Sequence, residues 1–119
     1  MNASLQAAFV AFVEACTSLH GQRIHLREAI STNTLNFDRH FTTYSELVFL
    51  LTNSYVRLSG GRLILAGYTH SYEIGGDQLA ALAAHGPGHF EILERYSDTV
   101  FRRTILQVVP AAPVLTAVD

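Results

Sequence analysis

From Gly60 onward the chain is interrupted every 10 to 15 residues by turn-forming clusters: Gly60-Gly61, Gly75-Gly76-Asp77, His85-Gly86-Pro87-Gly88 and Ser97-Asp98. Glycine supplies the positive-φ backbone that tight turns require, and Asp, Ser and Pro favour turns by side-chain bonding or a fixed φ. Apolar segments of this length between such turns suit a meander of antiparallel strands. The segments are 62–74, 78–84, 90–96 and 99–109. The last is rich in β-branched residues and ends at Pro110. The second is rich in alanine, and a short helix capped by Asp77 competes there with a strand.

The first half reads differently. Leu5, Ala8, Phe9, Phe12, Cys16 and Leu19 recur at helical spacing, so a helix is predicted over 3–20. Asn2 or Ser4 can cap its start, and Gly21 can end it. Residues 22–30 fit a strand or a short helix, and Ser31-Thr32-Asn33-Thr34 reads as a loop. Thr43-Tyr44-Ser45-Glu46 fits a capping box, and Leu47, Leu50, Leu51, Tyr55 and Leu58 follow at helical spacing, so a second helix is expected over 44–57. The same stretch is rich in β-formers, which keeps a strand–turn–strand reading open.

With 119 residues the chain fits one domain, taken as 1–109, followed by an extended tail, 110–119, that carries Pro113, Val114, Leu115 and Val118. The fold expected is α+β: the N-terminal helix and the second helix packed on a mainly antiparallel, curved sheet or a small barrel. Charged residues make up only 15%, which leaves uncharged surface for contact with another chain. The net charge of −2 argues against tracking a nucleic-acid backbone. All eight basic residues are arginine, so lysine Schiff-base chemistry and a P-loop lysine are excluded. Cys16 is the single cysteine, so no internal disulfide forms. The apolar run at 7–13 stops at Glu14 and has no basic flank, so neither a signal peptide nor a membrane span is expected, and a cytoplasmic location is.

Three groups of residues could carry chemistry. If 62–74 is one strand, Tyr68, His70 and Tyr72 share a face with Ile74, giving an apolar wall with three polar tips. There a histidine can move a proton and tyrosine hydroxyls can orient a substrate oxygen. The alternative is a half-buried sheet face. If Ser97-Asp98 is a two-residue hairpin loop, Glu94 lies opposite Phe101 and diagonal to Arg103, on the face of Phe90, Ile92 and Ile105. It is then a carboxyl with a raised pKa or one half of an ion pair with Arg103. His85 and His89 flank a tight turn close to Glu91, but no recognised metal-binding pattern accompanies them, so no metal and no cofactor is expected.

These observations favour a non-catalytic binding or assembly module, a homo-oligomer or a complex subunit whose partner is itself or another protein. The alternative is a small cofactor-independent enzyme of isomerase, cyclase or dehydratase type, acting on a small apolar ligand with His70, Tyr68, Tyr72 and Glu94.

Overall fold

A computed structural model describes residues 2–32, 41–57 and 61–110. Helix α1 (Ala3–Ser18) forms where the apolar stripe lies. The Asn2 side chain accepts a hydrogen bond from the Leu5 backbone N–H at 2.7 Å, satisfying a donor that the first helical turn leaves without a partner. Gly21 then turns the chain at φ 89°, in the left-handed region where a Cβ would be strained.

Eight strands follow among the described residues: β1 (Arg23–Thr32), β2 (Phe41–Leu50), β3 (Asn53–Arg57), β4 (Arg62–Ala66), β5 (Ser71–Gly75), β6 (Leu79–Gly86), β7 (His89–Arg95) and β8 (Val100–Val108). A single 3-10 turn, Gly76–Gln78, joins β5 to β6. The strands form two open antiparallel sheets, one of five strands in the order β2-β1-β8-β7-β6 and one of three in the order β3-β4-β5. The α+β class therefore holds with one helix among the described residues, and neither sheet closes into a barrel.

The predicted helix over 44–57 is instead β2 and β3, with a change of sheet between them. The apolar residues there fit a period of two as well as a helical one. Phe49 and Leu51 are buried and Leu47 half-buried, while Glu46 and Val48 between them are exposed. Strand pairing with β1 rewards that alternation and outweighs the local helical spacing. Leu51 fixes the corner: its N–H donates to the Gln22 carbonyl at 2.9 Å, and its carbonyl accepts from Gly21 at 2.8 Å. The ambiguous segments 22–30 and 78–84 are both strand. The segment 62–74 is a hairpin rather than one strand. It turns at 67–70, where the Gly67 N–H donates to the His70 carbonyl at 2.8 Å. A Cβ on Gly67 would lie 2.7 Å from the Phe49 ring, so the turn can sit against β2 only without a side chain. Of the proposed tail, only Pro110 falls within the described residues.

The core lies between the inner faces of the two sheets and α1. Phe9, Phe12, Cys16 and Leu19 meet Ile24 and Leu26 of β1, Phe90 and Ile92 of β7, Leu106 of β8, and Leu63 and Leu65 of β4. Burial pushes the Cys16 thiol up to about 12, so it stays a neutral, inert packing group. No helix among the described residues is long and apolar enough to cross a membrane. Phe12 is 1% exposed and meets the Phe90 ring edge-on at a centroid distance of 5.0 Å. Phe12→Ala is expected to cost about 3–5 kcal/mol, the range for truncating a core phenylalanine. A urea unfolding curve that shifts by less than about 1 kcal/mol would be incompatible with this packing.

Candidate functional site

Three neighbouring strands of the larger sheet share one inner-face pattern. Along β1 the inward residues are Ile24, Leu26 and Glu28. Along β7 they are Phe90, Ile92 and Glu94, and along β8, read backwards, Leu106, Thr104 and Arg102. Register aligns them: Leu106 lies opposite both Leu26 and Phe90, Thr104 opposite Glu28 and Ile92, and Arg102 opposite Glu94. The core thus turns polar at one end of the sheet, against β5.

Arg102 is the centre of that end. Its Nε donates to Glu94 Oε1 at 2.9 Å, and one terminal nitrogen reaches Glu28 Oε2 at 3.1 Å. The other lies 2.7 Å from Glu94 Oε1 and also donates to the Glu73 backbone carbonyl of β5. The guanidinium carbon sits 4.9 Å over the Tyr72 ring, a cation–π arrangement. Glu94 is fully buried. Its Oε2 accepts from the Gly75 N–H at 3.0 Å and from the Tyr96 hydroxyl. Tyr72 donates to Glu28 Oε2 at 3.1 Å and lies 2.6 Å from the Thr104 hydroxyl, and Ser45 donates to Glu28 Oε1 at 3.1 Å. Burial pushes the Tyr72 hydroxyl well above the usual phenol value. The Tyr96 hydroxyl is pushed up to about 12 by burial and by its bond to the Glu94 carboxylate.

The sequence-predicted residues separate. Tyr68 is 87% exposed, and His70 is exposed beside it in the same turn. The His70 ring stacks on Phe49 at 5.9 Å, and its Nδ1 lies 3.0 Å from the Thr69 hydroxyl. Tyr72 faces inward on β5, so the expected wall of Tyr68, His70 and Tyr72 does not form: the turn at 67–70 breaks the strand alternation that would have aligned them. Glu94 pairs with Arg102 and not with Arg103. The β7–β8 loop spans 96–99 and aligns Arg95 with Phe101, a shift of one residue from the two-residue loop. Phe101, Arg103 and Ile105 consequently occupy the opposite face from Glu94. Glu28, Ser45, Tyr96, Arg102 and Thr104 were missed, although an alternating apolar, apolar, polar pattern in three strands marks most of them.

His85 and His89 place their rings 5.2 Å apart, with His85 Nε2 3.3 Å from Glu91 Oε1. Among the described residues no group of three or more His, Cys, Asp or Glu is arranged to hold a metal ion. One surface groove of about 300 Å³ runs along Leu5, Ala8, Ala80 and Leu82, and another of about 250 Å³ along His25, Gln107 and Val109. Neither groove reaches the Arg102 network. The donors and acceptors of that network meet one another, an arrangement suited to holding two sheets in register. Comparison with protein-family models, curated proteins and solved structures gave no match.

Arg102→Ala should lower stability by about 3–5 kcal/mol, because Glu94 and Glu28 would keep their burial and lose their counter-charge. Replacing all three together (Glu28→Gln, Arg102→Met, Glu94→Gln) should recover much of that loss, and urea midpoints compare the two variants. Tyr96 adds a pH signature. Its folded pKa lies above the unfolded value of 10, so its contribution is complete below pH 10 and is lost as pH rises toward about 12. Tyr96→Phe should flatten that alkaline decline in melting temperature; an unchanged slope would mean that Tyr96 does not carry it.

Proposed function

We propose that this chain is a non-catalytic assembly module that works as a homo-oligomer, with a second copy of itself as the first partner. The observation that carries this reading is the outer face of the five-stranded sheet. It bears Tyr44 and Val48, 52% and 46% exposed, beside the half-buried Leu93, Phe101 and Ile105. The low charge content of 15% adds to it, since it leaves uncharged surface for contact with another chain. Against a small cofactor-independent enzyme stand the scattering of Tyr68, His70 and Tyr72 and the mutual engagement of the polar groups around Arg102. A cytoplasmic location belongs to the same reading, because the buried free thiol of Cys16 needs no oxidising compartment.

Light scattering on the untagged chain tests the reading. A mass of twice 13.1 kDa or a higher multiple supports it. A monomer at the highest attainable concentration would sink it, as would turnover of a substrate that is abolished by His70→Ala.

A further inference from the structure

Resting on that assembly reading, we infer that two copies join through β6, paired antiparallel with the same strand of the second copy so that the five-stranded sheet runs on across the dimer. A sheet edge presents backbone N–H and C=O groups that can pair with another strand, and proteins usually block this with charge or proline. The described sheets end in four edges, β2, β6, β3 and β5. β2 carries Glu46, β3 carries Arg57 and β5 carries Glu73. β6, Leu-Ala-Ala-Leu-Ala-Ala-His-Gly, has no Asp, Glu, Lys, Arg or Pro. Ala80, Ala81, Ala83 and Ala84 are all exposed.

A further observation favours β6 itself as the occupant. The groove of about 300 Å³ lies between the start of α1 and the β6 edge, walled by Leu5, Ala8, Ala80 and Leu82. A strand added at that edge would turn its inward side chains into this groove, and β6 supplies Leu82 and Ala84, whose partners Ile92 and Phe90 mark them as inward-facing. A two-fold axis perpendicular to the sheet at Ala81 keeps residues of the same face together, so Ala81 lies beside its own counterpart on the outer side and Ala83 lies diagonal to the Ala81 of the other copy.

The double variant Ala81→Lys/Ala83→Lys tests the edge. In a monomer both lysines are solvated. In the dimer they set like charges against each other and should weaken association by roughly tenfold or more. Tyr68→Asp, in the exposed turn between β4 and β5, serves as the comparison and should leave the dimer mass unchanged. Because the lysine variant could lose its fold, Ala81→Cys provides an independent measurement: mild oxidation should give a covalent dimer, with Cys16 too buried to contribute. A lysine variant with native circular dichroism and undiminished dimer mass would overturn the edge pairing while leaving self-association standing, as would an Ala81→Cys chain that stays uncrosslinked though dimeric. A wild-type chain that is monomeric throughout would overturn the assembly reading itself, and this inference with it.

Discussion

A single guanidinium ties together parts of the chain that are far apart in sequence. Arg102 on β8 holds Glu94 on one flanking strand and Glu28 on the other, and its remaining N–H reaches over to the Glu73 carbonyl in the second sheet. Withdrawing Glu94 from water costs several kcal/mol, and the Arg102, Gly75 and Tyr96 bonds offset that cost. Such a pair adds little net stability over an apolar filling of the same shape. Its contribution is directional. Leu63 and Leu65 would tolerate small slides of one sheet over the other, because apolar packing depends weakly on direction. Hydrogen bonds to the Glu73 carbonyl and the Gly75 N–H do not tolerate them, so β5 has one position over β7 and β8.

The opposite end is held by backbone contacts. Gly21 and Gln22, just past the helix, clasp Leu51 at the point where the chain leaves the larger sheet for the smaller. The Thr52 N–H then donates to the Ala66 carbonyl at 2.9 Å and commits β3 to its place beside β4. Between these two fixed ends α1 fills the wedge with Phe9, Phe12 and Cys16. A close approach at Gly76, where a Cβ would stand 3.1 Å from the Phe9 ring, shows how tightly the second sheet follows the helix.

The helix, its Asn2 cap and the turns after Gly60 are legible because their signals are local: a period, a capping side chain, a cluster of glycines. The strands β2 and β3 are less so, since Leu47, Leu50 and Leu51 satisfy two periods and only the β1 partner decides between them. The hairpin at 67–70 carries a single glycine, and what selects it is the ring of Phe49, a residue from another sheet. Glu94 was recognised as a carboxylate on an apolar face, but its partner depends on whether the next loop has two residues or four, which composition does not specify. Arg102 and Arg103 are adjacent and chemically identical, and register alone sends one into the core and the other to the outside.

The position of β1 in the middle of its sheet has a consequence for synthesis. β1 pairs with β2 on one side soon after both are made, but its other neighbour is β8, the last of the described strands. Until residue 108 has left the ribosome, one side of β1 keeps its peptide groups unpaired and Glu28 has no guanidinium to meet. The earlier strands can form hairpins as they emerge, yet the larger sheet joins up only when β8 inserts between β1 and β7. The larger sheet is therefore completed only after translation has passed β8, and a nascent chain stalled before Arg102 presents a soft, unfinished sheet to the cell's chaperones.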